Sequence, residues 1–177
     1  MSDIPADAIR ETWDSAYEKS IKLASMIDNH CRETGERFDV MVVVPRGGYY
    51  PVNIISRELG FGPTDLIHAC IGTYKTASAT RNNFELGQMP TAKQVAGKNI
   101  LVIEEVCDTG HTLDFLTYYL KKAGAGLVRT AVLHYKPGKS ETGYKPDWAC
   151  ETTEQWVIYP WEVHEQSGLN PSTRTKS

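Results

Sequence analysis

Two adjacent carboxylates follow a buried-strand pattern in the stretch 100–113, ILVIEEVCDTGHTL. Four consecutive apolar residues lead into Glu104 and Glu105, and like charges at the end of a buried strand are costly unless a partner takes up the charge. Because the two residues alternate across the strand, one carboxylate can face a ligand while the other faces a basic residue or a metal. Hard oxygen ligands of this kind suit Mg²⁺ and sugar hydroxyls.

An Asp-Thr-Gly-His-Thr turn at 108–112 comes directly after the acidic pair and before a helical pattern. Backbone N–H groups and threonine hydroxyls at the start of a helix form an anion site, and a phosphomonoester fits such a site. The sequence has neither GxxxxGK[ST] nor a convincing GxGxxG, so a nucleoside triphosphatase loop and a dinucleotide fingerprint are excluded. The plainer alternative is that Asp108 or Thr109 only caps the helix.

Alternating strand and helix patterns predict the elements that position these residues. Continuous β-branched or apolar runs indicate strands, and apolar residues at helical spacing indicate helices. The predicted strands are 40–44, 65–74, 100–103 and 128–135, and the predicted helices are 12–33, the segment from the Pro51 turn to Gly60, and 112–125. This order predicts an α/β fold with a doubly wound, mostly parallel sheet.

Three turns follow predicted strands: Arg46-Gly47-Gly48, Thr73-Tyr74 and the segment 104–112. Ligands of open parallel sheets bind beyond the carboxyl ends of the strands, so we expect these turns to cluster in space. The polar stretch 75–98 has no sustained period and is predicted to be a functional loop or flap. The chain is predicted to form one domain over 1–165, followed by a disordered polar tail at 166–177.

Composition narrows the class of ligand. The net charge of -3 gives no general attraction to nucleic acid or to an anionic membrane, so a small anionic metabolite fits better than a polymer. No apolar run approaches the roughly 20 residues of a spanning helix. Four scattered cysteines without a CxxC pair argue against a zinc site or a disulfide framework and suit a reducing compartment, so we expect a cytoplasmic protein. Four histidines lack ligand spacing and are read as ordinary polar or packed residues: His30, His68, His134 and His164.

The stretch 100–113 resembles the phosphoribosyl pyrophosphate signature of the type I phosphoribosyltransferases, namely an apolar strand, two acids and a D-T-G-x-T loop. Lys136 after a strand, GYKPD at 143–147 and QWVIYPWE at 155–162 are similar to the 6-oxopurine branch of that family, the xanthine, guanine and hypoxanthine enzymes. The resemblance covers roughly residues 12–165. It implies a small hood subdomain formed by the N- and C-terminal segments, and a Mg²⁺-dependent transferase of purine salvage.

The resemblance assigns the donor substrate to the acidic pair and the turn. It implies that Glu104 and Glu105 bind the ribose hydroxyls, directly or through Mg²⁺. It also implies that the turn 108–112 cradles the 5′-phosphate, with four substrate-binding residues: Thr109, Gly110, His111 and Thr112. This sequence departs from the family at Glu105, where Asp is common, and at His111, where Lys or Gly is frequent.

Catalysis and pyrophosphate binding are assigned in the same way. Asp108 resembles the family's general acid/base near purine N7, because a carboxylate within hydrogen-bond reach can hold the transferred proton. Arg46 and Gly47 resemble the pyrophosphate-binding turn, which often carries a non-proline cis peptide. Thr73 and Tyr74 resemble the start of a mobile catalytic loop that excludes water from the transition state. Arg46 could also simply close a strand, with the glycines as a turn.

The base site is assigned to the last part of the resemblance. Lys136 resembles the lysine that reads purine O6, Trp156 the ring stacked on the base, and Val157 a source of backbone contacts to the exocyclic group. Glu162 aligns with a carboxylate that helps to hold a second Mg²⁺. Judged singly, Lys136 could be a solvated loop lysine and Trp156 a core aromatic.

Two other functions remain open at this stage. Phosphoribosyltransferase-like domains also serve as non-catalytic nucleotide-sensing regulators, but the acidic balance and the lack of an appended segment argue against nucleic-acid binding here. A phosphoribosyltransferase for another base is the second alternative, because fold alone does not settle substrate. The resemblance also implies a homo-oligomer, either a dimer or a tetramer.

Overall fold

The computed structural model describes residues 4–74 and 83–162. The strands are β1 (Ile9–Arg10), β2 (Val40–Val43), β3 (Leu66–His68), β4 (Ile71–Tyr74), β5 (Asn83–Leu86), β6 (Ile100–Cys107), β7 (Val128–Tyr135), β8 (Trp148–Thr152) and β9 (Val157–Ile158). The helices are α1 (Trp13–Thr34), α2 (Tyr49–Glu58), α3 (Ala92–Val95) and α4 (His111–Lys122). The predicted tail 166–177 lies outside the described residues, as does part of the predicted loop 75–98.

A five-stranded parallel sheet in the order β3-β2-β6-β7-β8 forms the centre of the fold. Every residue of β2 is buried, as its unbroken apolar, valine-rich sequence predicts for a central parallel strand. The predicted α/β fold with a mostly parallel sheet is confirmed. The carboxyl ends of these strands share one edge of the sheet, which is where ligands of such folds bind.

Helices cover both faces of this sheet. Alternate residues of β2 point to opposite faces, so Val42 packs in the core with Leu116 of α4, while Met41 packs in the other core with Ile27 of α1 and Ile55 of α2. Burial of a Leu or Ile side chain contributes about 1.5–3 kcal/mol, so the two cores hold the sheet edge in place. Within the described residues no helix has the length and apolarity to cross a membrane.

Helix α1 lies close to its predicted limits because both ends carry strong signals. Thr12 and Ser15 cap the N-terminus reciprocally, each side chain accepting from the other residue's backbone N–H. Gly35 ends the helix in the left-handed conformation with φ of 78°, and its N–H donates to the Cys31 carbonyl.

Three sequence-based assignments need correction. The predicted strand 65–74 is two strands, because β3 joins the central sheet while β4 pairs with β5 in a separate antiparallel sheet. The predicted structureless stretch 75–98 contains β5 and α3. Strands β1, β8 and β9 were not predicted; β1 pairs in parallel with β9, so the N- and C-terminal segments assigned to the hood lie side by side.

Candidate active site

The acidic pair lies within β6, which runs past the predicted end at residue 103 to Cys107. Strand β2 accompanies β6 only as far as Val43 opposite Ile103. Glu104 and Glu105 therefore emerge where one neighbouring strand has already turned away, while β7 still borders the other side. Their carboxylates are half-buried at the carboxyl edge of the sheet, as the sequence predicts.

The surroundings of the two carboxyl groups raise their pKa values and so disfavour their ionised forms. Burial raises the pKa of Glu104 well above its usual range, and the neighbouring Glu105 carboxylate raises it further. Burial likewise raises the pKa of Glu105 to about 7; the nearby Glu162 charge adds to this rise and Arg46 opposes it. A bound divalent cation would favour the ionised form of both groups, since opposite charges stabilise a carboxylate.

The segment that follows β2 wraps around Glu105. The peptide bond between Pro45 and Arg46 is cis, one peptide before the Arg46-Gly47 bond that the sequence analysis singled out. A Cβ atom added to Gly47 would overlap the Glu105 carboxylate, and one added to Gly48 would overlap a backbone carbonyl. Both glycines are therefore needed for this close approach.

A cavity of about 550 Å³ opens beside this turn. It is lined by Arg46, Gly47, Tyr49, Tyr50, Asn53, Glu105, Trp161 and Glu162. The structure thus brings together two carboxylates and one arginine from three distant parts of the chain, all of them predicted site residues. A cavity of this size with convergent charged groups is suited to a polar metabolite.

The 108–112 turn is shaped by Gly110, which adopts φ of 86°, a left-handed conformation that other residues avoid. The loop that follows β7 lies against the 108–112 turn. Glu141 donates its backbone N–H to the Thr109 carbonyl at 2.9 Å, and its carboxylate lies 2.9 Å from His111 Nε2. His111 therefore has a carboxylate partner in this loop.

Among the residues that the structure describes, no side chain is hydrogen-bonded as a cap at the N-terminus of α4, whose N-cap residue is Gly110. The plainer alternative, in which Asp108 or Thr109 serves only as a cap, is therefore wrong. Thr112 lies half-buried in the first helical turn. The first turn keeps the partial positive charge of its free N–H groups, which favours an anion.

Lys136 lies beside this turn and is almost fully buried, with 5% of its surface exposed. Its ammonium is 3.2 Å from Asp108 Oδ2 and 5.5 Å from the centre of the Trp156 ring. Trp156 is 52% exposed. The solvated-lysine and core-aromatic alternatives are therefore both wrong, and the three residues form one open-sided group.

Val157 is held by the pairing of β9 with β1. The N–H groups of Ile9 and Glu11 donate to the carbonyls of Trp156 and Ile158, the residues on either side of Val157. Backbone groups alternate in direction along a strand, so the amide and carbonyl of Val157 point away from β1. The pairing with β1 therefore leaves these two groups unused, and their contacts to a ligand stay a prediction.

Comparison with known proteins identifies the family. The phosphoribosyl transferase domain matches residues 11–167 of this chain. The chain belongs to this family. The xanthine-guanine phosphoribosyltransferase of Idiomarina loihiensis is 29% identical over 155 residues, which cover 86% of each protein. The enzyme of the same name from Roseobacter denitrificans is 25% identical and covers 86% of this chain and 84% of its own length.

A solved structure agrees with this family. The purine phosphoribosyltransferase of Pyrococcus horikoshii superposes with a TM-score of 0.70 and 26% identity, covering 88% of this chain and 94% of its own. The family match and this superposition each cover most of the chain, so together they support both the fold and the family of this phosphoribosyltransferase.

Thr73 and Tyr74 form the end of β4, whose partner is β5 rather than a strand of the central sheet. The residues that follow them, 75–82, lie outside the described part of this phosphoribosyltransferase. Their proposed role at the start of a mobile catalytic loop therefore stays a prediction.

Sequence reasoning missed five aromatic or amide residues of this phosphoribosyltransferase that line or support the cavity: Tyr49, Tyr50, Asn53, Tyr159 and Trp161. Tyr50 and Tyr159 both stack on Trp161, with ring centres 4.7 Å apart in each pair. The signal for Tyr159 and Trp161 was present in QWVIYPWE, from which only Trp156, Val157 and Glu162 were assigned to the site. Alternation along β9 and the following turn places Tyr159 inward, where it can reach the acidic pair.

Proposed function

We propose that this phosphoribosyltransferase transfers the phosphoribosyl group of phosphoribosyl pyrophosphate to a 6-oxopurine. The bond between C1′ and the pyrophosphate oxygen breaks, pyrophosphate leaves with the electron pair, and a bond forms from C1′ to the purine nitrogen. The observation that carries this proposal is the group of Lys136, Asp108 and Trp156 beside the phosphate turn. It offers a donor, a proton acceptor and a stacking ring to one flat ligand.

The base would lie against Trp156, and the Lys136 ammonium would donate to its O6 oxygen. A buried lysine that meets a carbonyl oxygen discriminates strongly against a ligand that lacks that acceptor. Val157 would contact the exocyclic group through its outward backbone atoms. The names of the relatives from Idiomarina loihiensis and Roseobacter denitrificans support a 6-oxopurine acceptor.

The donor would occupy the carboxyl edge of the sheet. Its 5′-phosphate would accept hydrogen bonds from the backbone N–H groups and hydroxyls of residues 109–112, where α4 begins. Its ribose hydroxyls would meet Glu104 and Glu105, and its pyrophosphate would meet the Arg46-Gly47 turn beside the cavity. Holding both reactants at fixed positions is itself a large part of catalysis.

Mg²⁺ is the proposed cofactor. Glu105 and Glu162 face the same cavity, and their mutual repulsion together with burial raises the pKa of Glu105, so the donor set fits a hard divalent cation. Glu104, the other member of the pair, is the third predicted ligand. When bound, the ion would neutralise charge that develops on the leaving pyrophosphate.

Asp108 would manage the single proton of the reaction. The purine loses a proton as the new bond forms, and a carboxylate oxygen of Asp108 that lies beside N7 can accept it. The Lys136 ammonium donates to Asp108 Oδ2, so a base that binds between the two side chains would replace this hydrogen bond with its own contacts to both. The surrounding walls would exclude water from the oxocarbenium-like transition state.

A pyrophosphate-release assay tests the proposal. It combines phosphoribosyl pyrophosphate, Mg²⁺ and a panel of xanthine, guanine, hypoxanthine, adenine and uracil. Release with 6-oxopurines alone is the expected result, and excess chelator should abolish it. Tight nucleotide binding without release from any base would support the regulator instead, and release with uracil would support another base.

Assembly and location belong to the same proposal. The resemblance implies a cytoplasmic homo-oligomer, either a dimer or a tetramer. Sedimentation velocity of the purified chain distinguishes these assemblies from a monomer.

A further inference from the structure

Tyr159 connects several parts of the proposed site although it does not line the cavity itself. Its side chain is 2% exposed, and its hydroxyl donates to the backbone carbonyl of Glu105 at 2.9 Å. The same hydroxyl oxygen lies 2.8 Å from His134 Nδ1. A buried hydroxyl with two well-placed partners is fixed in one orientation.

The direction of these hydrogen bonds follows from counting protons. A tyrosine hydroxyl has one hydrogen, and a carbonyl oxygen can only accept, so that hydrogen goes to Glu105. His134 Nδ1 must then be the donor to the hydroxyl oxygen. The two hydrogen bonds therefore run from His134 Nδ1–H to the Tyr159 hydroxyl oxygen, and from the Tyr159 hydroxyl to the Glu105 carbonyl.

Glu105 needs this donor because its strand has lost a neighbour. The Val44 N–H donates to the Ile103 carbonyl, which is the last bond that the β2 side gives to β6. The register of β6 with β7 passes from Glu104 opposite Val132 to Val106 opposite His134 and leaves Glu105 unpaired. The Tyr159 hydroxyl supplies a hydrogen bond to the Glu105 carbonyl, and so fixes the backbone that carries the acid.

Tyr159 also holds the second acid of the cavity. Its backbone N–H donates to Glu162 Oε2 at 3.1 Å. Its ring stacks on Trp161, with planes 8° apart, and Trp161 is part of the cavity wall. One residue therefore contacts the backbone of Glu105, the carboxylate of Glu162 and the ring of Trp161.

His134 is buried beside two carboxylates. Its side chain is fully buried, and Nε2 lies 3.3 Å from Glu11 Oε1 and 3.5 Å from Glu151 Oε2. These three residues have the spacing of a metal site. The Lys19 ammonium already pairs with both carboxylates, at 3.1 Å and 3.4 Å, so a built-in cation compensates their charge. Among the described residues Nε2 makes no hydrogen bond, so the imidazole is held by its burial and by the bond between Nδ1 and the Tyr159 hydroxyl.

We infer that His134 and Tyr159 are positioning residues that preset Glu105 and Glu162 for a divalent cation, without touching substrate. The inference rests on the proposed function for the role of these two acids. Residues that support metal ligands in this way change metal affinity on the order of 10–100-fold when they are replaced.

Binding of Mn²⁺ to the full chain, followed by electron paramagnetic resonance, tests the inference without turnover. Tyr159→Phe removes one hydroxyl and is expected to weaken Mn²⁺ binding about tenfold. Tyr119→Phe is the matched control, because the Tyr119 hydroxyl also donates to a carbonyl, that of Pro90 at 2.9 Å, away from the site. The control should bind Mn²⁺ like the parent.

Two variants of His134 separate positioning from packing. The amide nitrogen of Asn can take the place of Nδ1 and donate to Tyr159, whereas Gln places its amide further out, near the position of Nε2. His134→Asn should therefore retain Mn²⁺ binding better than His134→Gln. A merely structural role would make the two variants equal in Mn²⁺ affinity after each is shown to be folded.

The outcomes separate this inference from the proposed function. Parental Mn²⁺ affinity in folded Tyr159→Phe, or no Mn²⁺ binding by the parent, overturns the inference. Mn²⁺ binding by the parent that depends on Tyr159, without pyrophosphate release from any base, overturns the proposed function and leaves the inference standing.

Discussion

The Lys136 ammonium and the Asp108 carboxylate lie 3.2 Å apart, and the lysine is almost fully buried. The predicted reader of the base and the predicted proton acceptor therefore neutralise each other before any base arrives. A buried ion pair that loses one member leaves an uncompensated charge. Substitution of either residue thus changes the electrostatic environment of the other.

Asp108→Asn removes the proton acceptor while preserving size. We expect kcat to fall on the order of 10²-fold or more, because proton transfer by a positioned group contributes about that much. Binding of phosphoribosyl pyrophosphate, measured by calorimetry, should change little, since the phosphate turn is formed by backbone groups. Turnover of this variant at the parental rate would show that Asp108 has no role in proton transfer.

Lys136→Met keeps the length of the side chain and removes its charge and donors. We expect KM for the 6-oxopurine to rise about tenfold or more, because a lost hydrogen bond to a charged group costs about 1.5–3 kcal/mol. Steady-state kinetics at saturating donor measure this change. The exposed Lys139, three residues further, provides the control Lys139→Met, which should behave like the parent. Equal KM values in the two variants would contradict the role of Lys136 in base binding.

Gly47→Ala tests the close approach of the turn to the acidic pair. A Cβ atom at this position would overlap the Glu105 carboxylate, so the acid must move away from its place in the cavity. We expect a loss of at least tenfold in kcat/KM for the donor, since small displacements of positioned groups have effects of about this size.

Gly62→Ala is the matched control for the turn variant. Its Cβ atom would meet only the Asp65 side chain, at 3.3 Å, away from the cavity. A small shift of that side chain relieves the contact, so activity should be retained. A Gly47→Ala protein as active as this control would mean that Glu105 is not held by the turn.

Glu105→Gln tests the electrostatic cost of the acidic pair in the metal-free protein. The pKa of Glu105 is about 7 in the fold, above its ordinary value of 4.5, so the folded state holds the proton more tightly. The stability that this proton confers is complete below 4.5 and is lost as pH rises through 7. Gln cannot ionise. We therefore expect the variant to exceed the parent by on the order of 1–2 kcal/mol at about pH 8 and to match it at about pH 4.

Urea unfolding in the presence of chelator measures this difference. Glu36→Gln provides a control of opposite sign, because hydrogen bonds from Arg129 lower the pKa of Glu36. That contribution is present above the ordinary value of 4.5 and is lost as pH falls through the lower folded value. Glu36→Gln should therefore be less stable than the parent at neutral pH. A parallel pH response of the two variants would contradict the assigned causes.

The elements predicted correctly from sequence have local signals that agree with their surroundings. Strand β7 was predicted at 128–135, its observed limits, because an apolar β-branched run lies between polar turns. Helix α1 carries its own cap at Thr12 and its own stop at Gly35. The turn after β6 could be predicted because the order of residue types, apolar strand, acids and D-T-G, is itself the signal.

The missed elements depend on partners that a sequence does not display. Strand β8 has the half-polar sequence WACET, because it lies at the edge of the sheet and has only β7 as a neighbour. Strands β1 and β9 contain two residues each and exist only as a pair. Strand β6 extends through two carboxylates because β7 continues alongside it, which no local propensity indicates.

The site residues also differ in whether their sequence surroundings reveal them. Asp108, Lys136 and Trp156 were found because each stands at a recognisable place relative to a strand or motif. Tyr159 and His134 were missed because their importance lies in a hydrogen bond to a distant backbone carbonyl. Contacts of this kind become visible only when the fold brings positions 105, 134 and 159 together.

The pairing of β1 with β9 has a consequence for biosynthesis. A ribosome delivers the strands β2, β3, β6 and β7, together with the phosphate turn, before Trp156 and Val157 leave the exit tunnel. A nascent chain can therefore form the 108–112 turn and strand β7 with Lys136 before the Trp156 ring and the Glu162 carboxylate have been synthesised. Strand β1 cannot pair until β9 has followed it, so the exposed ring of Trp156 and the second acid of the cavity are the last parts of the candidate site to be completed.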